Sequence, residues 1–413
     1  MKTSGWFKAA LAALSLVVAG SAFAQPIKIG LAEALTGPLS GGGKASLLAM
    51  RIWSEDVNAK GGILGRKVEL IVYDDQSSGA VTPGIYTKLL DVDKVDLLFA
   101  PYATVPTAPI MPLVKQRGLL LMGNFSIAVN ETVKHDMWFN NAPWPDAKSQ
   151  VDAYLSVGKR VGVKSVAFLA ADQEFAQNVL KVAKVRAPQE GLKIVYEQTY
   201  PPSTVDFSSM MQALRASKPE MVYVLSYPGD TAAIVRAVNE IGVGDSVKVF
   251  GGGMVGLQFA PLLESLGSGL NGIVNYNSYV PEKTMNFPGV KSFLERYSKR
   301  AVEEKVDPLG FYLPPFAYAT GQMVEQAING TKSLDQKKLA QYLHTHEMET
   351  IVGPIRYNAM GERAVSGVLI TQLRGVADHN VEQFRSPGKQ VILEPLRLKT
   401  GELVAPFEKA RKG

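Results

Sequence analysis

The sequence predicts an α/β protein with two lobes, each built on a doubly wound parallel sheet. Apolar runs rich in Val, Ile and Leu recur at the spacing of strands, and segments with helical periodicity separate them. This alternation occurs twice, first over residues 27–123 and again over residues 164–253. Strands that alternate with helices pair in parallel and are covered on both faces, so two such series indicate two lobes.

The first series opens with the run IKIGLAEA, which predicts a strand at 27–34. Residues 44–60 predict a helix, because apolar side chains such as Leu48 and Ile52 fall on one face and a glycine pair follows. The series continues with a strand at 67–75, a mostly helical segment at 81–93 and strands at 96–100 and 119–123.

The second series includes predicted strands at 164–170 and 220–227 and a predicted helix at 174–190. Its last strand runs into three glycines at 251–253. In open parallel sheets, ligands bind beyond the carboxyl ends of the strands. The turns that follow the predicted strands are therefore the expected site, at 34–44, 100–106, 123–128, 170–175, 226–230 and 250–256.

Residues 1–24 predict a signal peptide for export. Two lysines and a short apolar stretch precede Ala22-Phe23-Ala24, which has the small-x-small pattern of a cleavage site. We expect cleavage after Ala24, so that Gln25 becomes the first residue. The chain has no cysteine, which excludes a lipoprotein anchor, disulfides and thiolate chemistry.

The segment LTGPLSGGGKAS at 35–46 approaches the phosphate-binding pattern G-x-x-x-x-G-K-[ST] but fails it. Pro38 stands where the first glycine belongs, and Ala45 stands where the metal-binding hydroxyl belongs. The run GGGMVG at 251–256 lies too late in the chain for a dinucleotide fingerprint. We therefore expect no nucleotide and no other cofactor.

Charge and catalytic motifs exclude further classes of protein. The net charge is +6 at pH 7, and charges of both signs are interspersed, which argues against a nucleic-acid partner. The four histidines lack an H-E-x-x-H or cysteine context, and no G-x-S-x-G motif occurs. We expect neither a metal site nor catalytic residues, which argues against an exported enzyme.

A family resemblance rests on motifs spread along the chain. TGP follows the first strand, NAKGGILGRK ends the first helix, and YDD ends the next strand. The pattern continues through FAPYATVPTAPI, VAFLAADQEFAQNVL, MVYVLSYPGD and VGPIRYNAMGE. In these motifs the chain resembles the leucine/isoleucine/valine-type periplasmic binding proteins of ABC importers. The resemblance implies two lobes joined by three hinge strands, with lobe 1 at 26–142 plus 278–365 and lobe 2 at 143–277 plus 366–413.

The resemblance also implies a location and partners. It predicts a periplasmic monomer that delivers a small amino acid or a related organic carboxylate to the permease of an ABC importer. Two alternatives remain open. The ligand could instead be an aromatic or aliphatic carboxylate without an amine, or the protein could present its ligand to a sensory receptor.

Several site residues follow from the resemblance. Thr104 and Ser126, with backbone amides near Phe125, correspond to the clamp that holds the ligand carboxylate in the family. The alternative for Thr104 is a helix cap, and the alternative for Ser126 is a loop hydroxyl bound only to water. The glycines at 41–43 are expected to let the backbone bend in the cleft-lining turn before the first helix.

Aromatic residues form the rest of the predicted site. Phe175 and Tyr227 fall where the family places cleft aromatics, and Tyr102 and Trp144 are further candidates. Ordinary core packing is the alternative for each of them.

The family usually carries a glutamate that pairs with the α-ammonium of the ligand. Here Gly253, beside Met254, occupies that position. Asp172 or Asp230 could supply the acid instead. If neither does, the pocket suits a carboxylate that has no amine, because an unpaired buried charge is costly.

Overall fold

The structure is a computed structural model that describes residues 25–412. The predicted signal peptide at 1–24 lies outside the described residues. Within residues 25–412, no helix combines the length and the apolar composition that crossing a membrane requires. The same part of the chain forms two β-sheets with helices packed against them, which confirms the predicted fold class.

The first sheet has five parallel strands in the order β2-β1-β3-β4-β5. These strands are β1 (Ile27–Glu33), β2 (Val68–Asp74), β3 (Leu97–Tyr102), β4 (Leu121–Asn124) and β5 (Trp138–Asn141). The helices between and after them are α1 (Ser40–Ala59), α2 (Thr82–Asp91), α3 (Thr104–Thr107), α4 (Met111–Arg117) and α5 (Val129–Val133). Because β1, β3 and β4 are neighbours and parallel, their carboxyl ends meet at one edge of the sheet.

The second sheet has seven strands in the order β12-β11-β10-β9-β8-β6-β7. Its strands are β6 (Ser165–Ala171), β7 (Lys193–Tyr200), β8 (Met221–Ser226), β9 (Val249–Met254), β10 (Val274–Asn277), β11 (Leu369–Leu373) and β12 (Gln390–Glu394). The accompanying helices are α6 (Ala147–Arg160), α7 (Glu174–Gln189), α8 (Ser208–Ala216), α9 (Pro228–Ile241) and α10 (Ala260–Leu266).

The strands β6 to β9 are parallel, as predicted. The strand β10, which was not predicted, continues the parallel pairing, and β11 and β12 add an antiparallel edge. Antiparallel neighbours need no crossover helix, so these two strands leave no strand–helix alternation in the sequence. The carboxyl ends of β6, β8, β9 and β10 meet at one edge of this sheet.

Three further helices follow β10 but pack against the first sheet. They are α11 (Val290–Glu304), α12 (Pro314–Thr331) and α13 (Gln336–Thr345), and a short helix α14 (Phe407–Arg411) lies near the C-terminus. Asn141 at the end of β5 donates from Nδ2 to the Phe316 carbonyl oxygen of α12 over 2.6 Å. Gly321 of α12 lies so close to Trp53 of α1 that an added Cβ would approach the indole to 2.0 Å.

This packing means that the chain passes between the two sheets three times. The crossings follow β5, follow β10 and precede β11. The lobe boundaries that the resemblance implies, at 142/143, 277/278 and 365/366, stay a prediction.

The glycines at 41–43 do not form the predicted bend. Helix α1 begins at Ser40, four residues earlier than predicted, so all three glycines lie in its first turns. A Cβ on Gly43 would approach the Ala34 carbonyl oxygen to 2.3 Å, and one on Gly42 would approach the Tyr102 ring to 2.4 Å. Gly42 and Gly43 therefore permit close packing of the start of α1 against the ends of β1 and β3, whereas Gly41 has open space around it.

Candidate ligand-binding site between the two sheets

A small cavity lies between the segments that follow the carboxyl ends of strands in both sheets. We call it the inner cavity, and its volume is about 30 Å³. It is lined by Leu39, Tyr102, Ala103, Thr104, Val105, Phe125, Trp144, Phe175, Tyr227, Val255, Tyr276 and Tyr312. Six of the residues singled out from the sequence are brought together here, namely Tyr102, Thr104, Phe125, Trp144, Phe175 and Tyr227.

The hydroxyl of Thr104 is held by the turn that follows β4. Its Oγ1 accepts a hydrogen bond from the Ile127 amide over 3.0 Å. One acceptor lone pair is therefore used, while the hydroxyl proton is free to be donated into the inner cavity. The cap position of α3 is occupied by Ala103, with φ of +79°, so the interpretation of Thr104 as the helix cap was wrong.

Three predicted residues do not line the inner cavity. Ser126 is buried, but its Oγ donates to the Ala103 carbonyl oxygen over 3.3 Å. Gly253 and Met254 lie in β9, where the Met254 amide and carbonyl are both bonded to the side chain of Asn275 at 2.9 Å. The strand extends one residue beyond the predicted end, and Val255 reaches the cavity instead.

Aromatic rings pack edge-on around the cavity. The ring centroid of Phe125 lies 5.3 Å from that of Trp144 and 4.9 Å from that of Tyr312. On the opposite wall Phe175 meets Tyr227 at 6.1 Å, nearly perpendicular. Edge-to-face contacts at these separations are favourable and fix ring orientation.

Two wall residues hold unusual backbone conformations. Phe125 has φ of +57° and Ala103 also has a positive φ. Both residues line the inner cavity. Residues with side chains rarely occupy this region, and such strain concentrates at ligand-binding positions.

Uncharged hydrogen-bond donors face the cavity. The hydroxyl of Tyr227 and the indole nitrogen of Trp144 are buried and have no hydrogen-bond partner among residues 25–412. The hydroxyls of Tyr276 and Tyr312 are 2.8 Å apart, so one of the two protons is left free. Burial raises the pKa of Tyr227, and its phenol therefore keeps its proton at neutral pH.

Charged side chains are missing from the lining of the inner cavity as described. Asp172 is exposed and does not line it. Asp230 is held elsewhere, since its carboxylate accepts from the Tyr200 hydroxyl at 2.5 Å and from the Tyr227 amide at 3.0 Å. Neither acid suggested as a substitute for the family glutamate therefore reaches the cavity.

A second space, the outer cavity, adjoins the inner one and has a volume of about 350 Å³. Leu39 and Tyr102 line both cavities and separate them. The outer cavity lies between the start of α1 and the segment around Phe259, and it includes the charged side chains of Lys44 and Asp307.

Sequence reasoning missed two tyrosines of the inner cavity. Tyr276 belongs to the carboxyl end of β10. The rule that ligands bind beyond the carboxyl ends of parallel strands, here called the strand-end rule, would have found it had that short strand been recognised. Tyr312 precedes α12, which returns to the first sheet, and no local pattern marks that position.

Comparison with known proteins identifies the family. A family model described as periplasmic binding protein matches residues 26–380. The chain therefore belongs to the periplasmic binding protein family. A relative named Leu/Ile/Val-binding protein from Citrobacter freundii is 22% identical over 84% of this chain and 91% of its own.

Solved structures share the fold. The branched-chain amino acid transporter substrate binding protein LivJ from Streptococcus pneumoniae, in complex with isoleucine, has a TM-score of 0.71 at 18% identity, covering 90% of this chain and 100% of that chain. A solute binding protein of an ABC transporter from Rhodopseudomonas palustris BisB5, in complex with 3,4-dihydroxy benzoic acid, has a TM-score of 0.70 at 23% identity, covering 86% and 94%. Similar folds thus hold ligands with and without an amine.

Proposed function

We propose that this protein is the substrate-binding protein of an ABC importer and that its ligand is an aromatic carboxylate without an amine. The observation that carries the proposal is the lining of the inner cavity, which has seven aromatic residues and no charged side chain. The ligand is bound and released without chemical change.

The absence of an acid among the lining residues weighs against an amino acid. The α-ammonium of an amino acid, once enclosed between the sheets, needs a carboxylate partner, because an unpaired buried charge is costly. Asp230 already accepts hydrogen bonds from the Tyr200 hydroxyl and the Tyr227 amide, and it does not line the inner cavity. It is therefore a poor partner for a cation.

A carboxylate, by contrast, finds donors in the inner cavity. The free proton of Thr104 and the unpartnered groups of Tyr227 and Trp144 are uncharged donors that an anionic oxygen accepts. The remaining wall is a set of aromatic faces and edges, which suits an aromatic body.

Entry of the ligand requires a wider form than the one described. The inner cavity, at about 30 Å³, holds about one water molecule, whereas pockets for small organic ligands are roughly ten times larger. We infer that the lobes separate about the three crossings to admit the ligand and then close over it, as in hinge motions of binding proteins. The closed form would then dock on the permease.

The test is a titration of benzoate by calorimetry on the mature chain and on two tyrosine variants. Tyr227→Phe removes a cavity hydroxyl and should weaken benzoate binding by about tenfold or more. Tyr223→Phe is the control, since Tyr223 is fully buried and its hydroxyl, like that of Tyr227, has no partner among residues 25–412, but it does not line the inner cavity. Equal affinity of both variants for benzoate, or no binding to the unaltered chain, would contradict the proposal.

Export, cleavage after Ala24 and a monomeric state are parts of the same proposal. Family membership supports a periplasmic location. N-terminal sequencing of the periplasmic product should begin at Gln25, and an intact Met1 in that fraction would contradict it.

A further inference from the structure

A separate cavity lies where the chain crosses between the two sheets. We call it the crossover cavity, and its volume is about 230 Å³. Its walls include Ser278 and Tyr279, directly after β10, and the segment from Arg363 to Gly367, just before β11. It shares no lining residue with the inner cavity, so it is a distinct space.

Three arginines line the crossover cavity, against a single acidic residue, Glu347. The side chain of Arg363 makes no hydrogen bond or ion pair with any residue in the part of the chain that the structure describes. Arg397 makes one hydrogen bond, to the Ser366 carbonyl oxygen at 3.2 Å. Arg356 lines the same space. The cavity therefore carries an excess of positive charge with unused donors.

The unpaired state of Arg363 is unusual for this protein. Most other arginines of residues 25–412 have a partner, as Arg186 does in Asp152 and Glu190, each at 2.6 Å. The exposed side chain of Arg356 is the other exception. Burial lowers the pKa of Arg363 to about 10, and the positive charge of Arg397 contributes to this lowering. The guanidinium is still protonated at neutral pH and is only partly exposed, so a positive charge with five N–H donors lines the crossover cavity without an acceptor among residues 25–412.

An anion supplies what this guanidinium lacks. Guanidinium groups bind carboxylates through two parallel N–H···O bonds, which are stronger than bonds between neutral groups. The rest of the wall is largely apolar and favours an organic anion over a fully hydrated inorganic one. The apolar lining side chains are Met285, Phe287, Phe316, Val352, Val365 and Leu398.

We propose that the crossover cavity is a second binding site, for a small organic carboxylate with an apolar body. The carboxylate pairs with Arg363 and is supported by Arg397, while the apolar body lies against the side chains opposite. This site is independent of the ligand proposed for the inner cavity.

The test uses hexanoate as the probe and hexanamide as its uncharged counterpart, titrated into the mature chain by calorimetry. Hexanoate should bind and hexanamide should not. Arg363→Gln should weaken hexanoate binding by at least about tenfold. Arg374→Gln is the matched control, because Arg374 is also half-buried with a pKa lowered by burial but lies outside the crossover cavity. Thr104→Ala should leave this binding unchanged.

Three outcomes would overturn the proposal. Unchanged hexanoate affinity in Arg363→Gln would remove the assigned partner, and loss in Thr104→Ala would place the probe in the inner cavity. Inorganic phosphate binding as tightly as hexanoate would contradict the role of the apolar wall.

If Arg363→Gln does not fold, crystals of the unaltered chain soaked with 6-bromohexanoate provide a second test. Anomalous bromine signal is expected in the crossover cavity, and signal only elsewhere would refute the assignment.

Discussion

Replacing Glu362 by glutamine should remove a large pH dependence of stability. Glu362 is the neighbour of Arg363 in sequence, but only Arg363 lines the crossover cavity. The Glu362 carboxylate instead accepts from Trp138 Nε1 at 2.9 Å and from Asn140 Nδ2 at 2.8 Å. No positively charged side chain among residues 25–412 pairs with it, so its ionised form is poorly compensated.

The magnitude follows from the change in proton affinity on folding. Burial raises the pKa of Glu362 from 4.5 to about 8, although the hydrogen bonds from Trp138 and Asn140 act in the opposite direction. A raised pKa in the folded state means that this contribution to stability is fully present below pH 4.5 and is lost as the pH rises through 8. At about 1.4 kcal/mol per pKa unit, the free energy of unfolding should fall by about 5 kcal/mol at most across that range.

Urea unfolding at a series of pH values between about 5 and about 9 measures this effect. The unaltered chain should lose stability with rising pH, and Glu362→Gln should lose much less, because glutamine keeps the acceptor for Trp138 and cannot ionise. Glu197→Gln is the control, since Glu197 pairs with Lys184 near the surface. The same slope of stability against pH in the unaltered chain and in Glu362→Gln would refute the reasoning.

Two further predictions concern the start of α1 and the inner cavity. Gly43→Ala should destabilise the fold by about 1–3 kcal/mol or more in the same urea assay, because the added Cβ meets the backbone of Ala34. Gly41→Ala in the same helix is the control, since its Cβ enters open space and should be neutral or stabilising. Thr104→Ala should weaken carboxylate binding by about 1.5–3 kcal/mol, measured by calorimetry. A lowered melting temperature with unchanged affinity would show that the hydroxyl only accepts the hydrogen bond from the Ile127 amide and does not bind the ligand.

The strand-end rule explains why much of the candidate site was predictable. Tyr102, Phe175 and Tyr227 each lie at or just beyond the carboxyl end of a strand, and the alternation of strands and helices fixes those ends from local sequence. Parallel pairing then brings the ends of both series to the same cavity.

The errors have equally definite causes. The segment with the three glycines forms the first turns of α1 and not the expected bend. Gly42 and Gly43 lack a Cβ because they pack against Tyr102 and Ala34, and Tyr102 is distant in sequence. The prediction for Met254 depended on where β9 ends. The strand is one residue longer than predicted and includes Met254, and side chains alternate between the two faces of a strand. Val255, the next residue, therefore lines the inner cavity in place of Met254. Tyr312 lies in a segment between α11 and α12, where the chain has returned to the first sheet, and no local sequence periodicity predicts that return.

The most direct measurement of the central claim is a paired titration of 3-phenylpropanoate and phenylalanine, which differ only in the α-ammonium. Since no acidic side chain lines the inner cavity, the amine-free acid should bind at least tenfold more tightly, a difference of about 1.4 kcal/mol. Tighter binding of phenylalanine, lost in Asp230→Asn, would contradict the account and identify Asp230 as the partner of the ammonium.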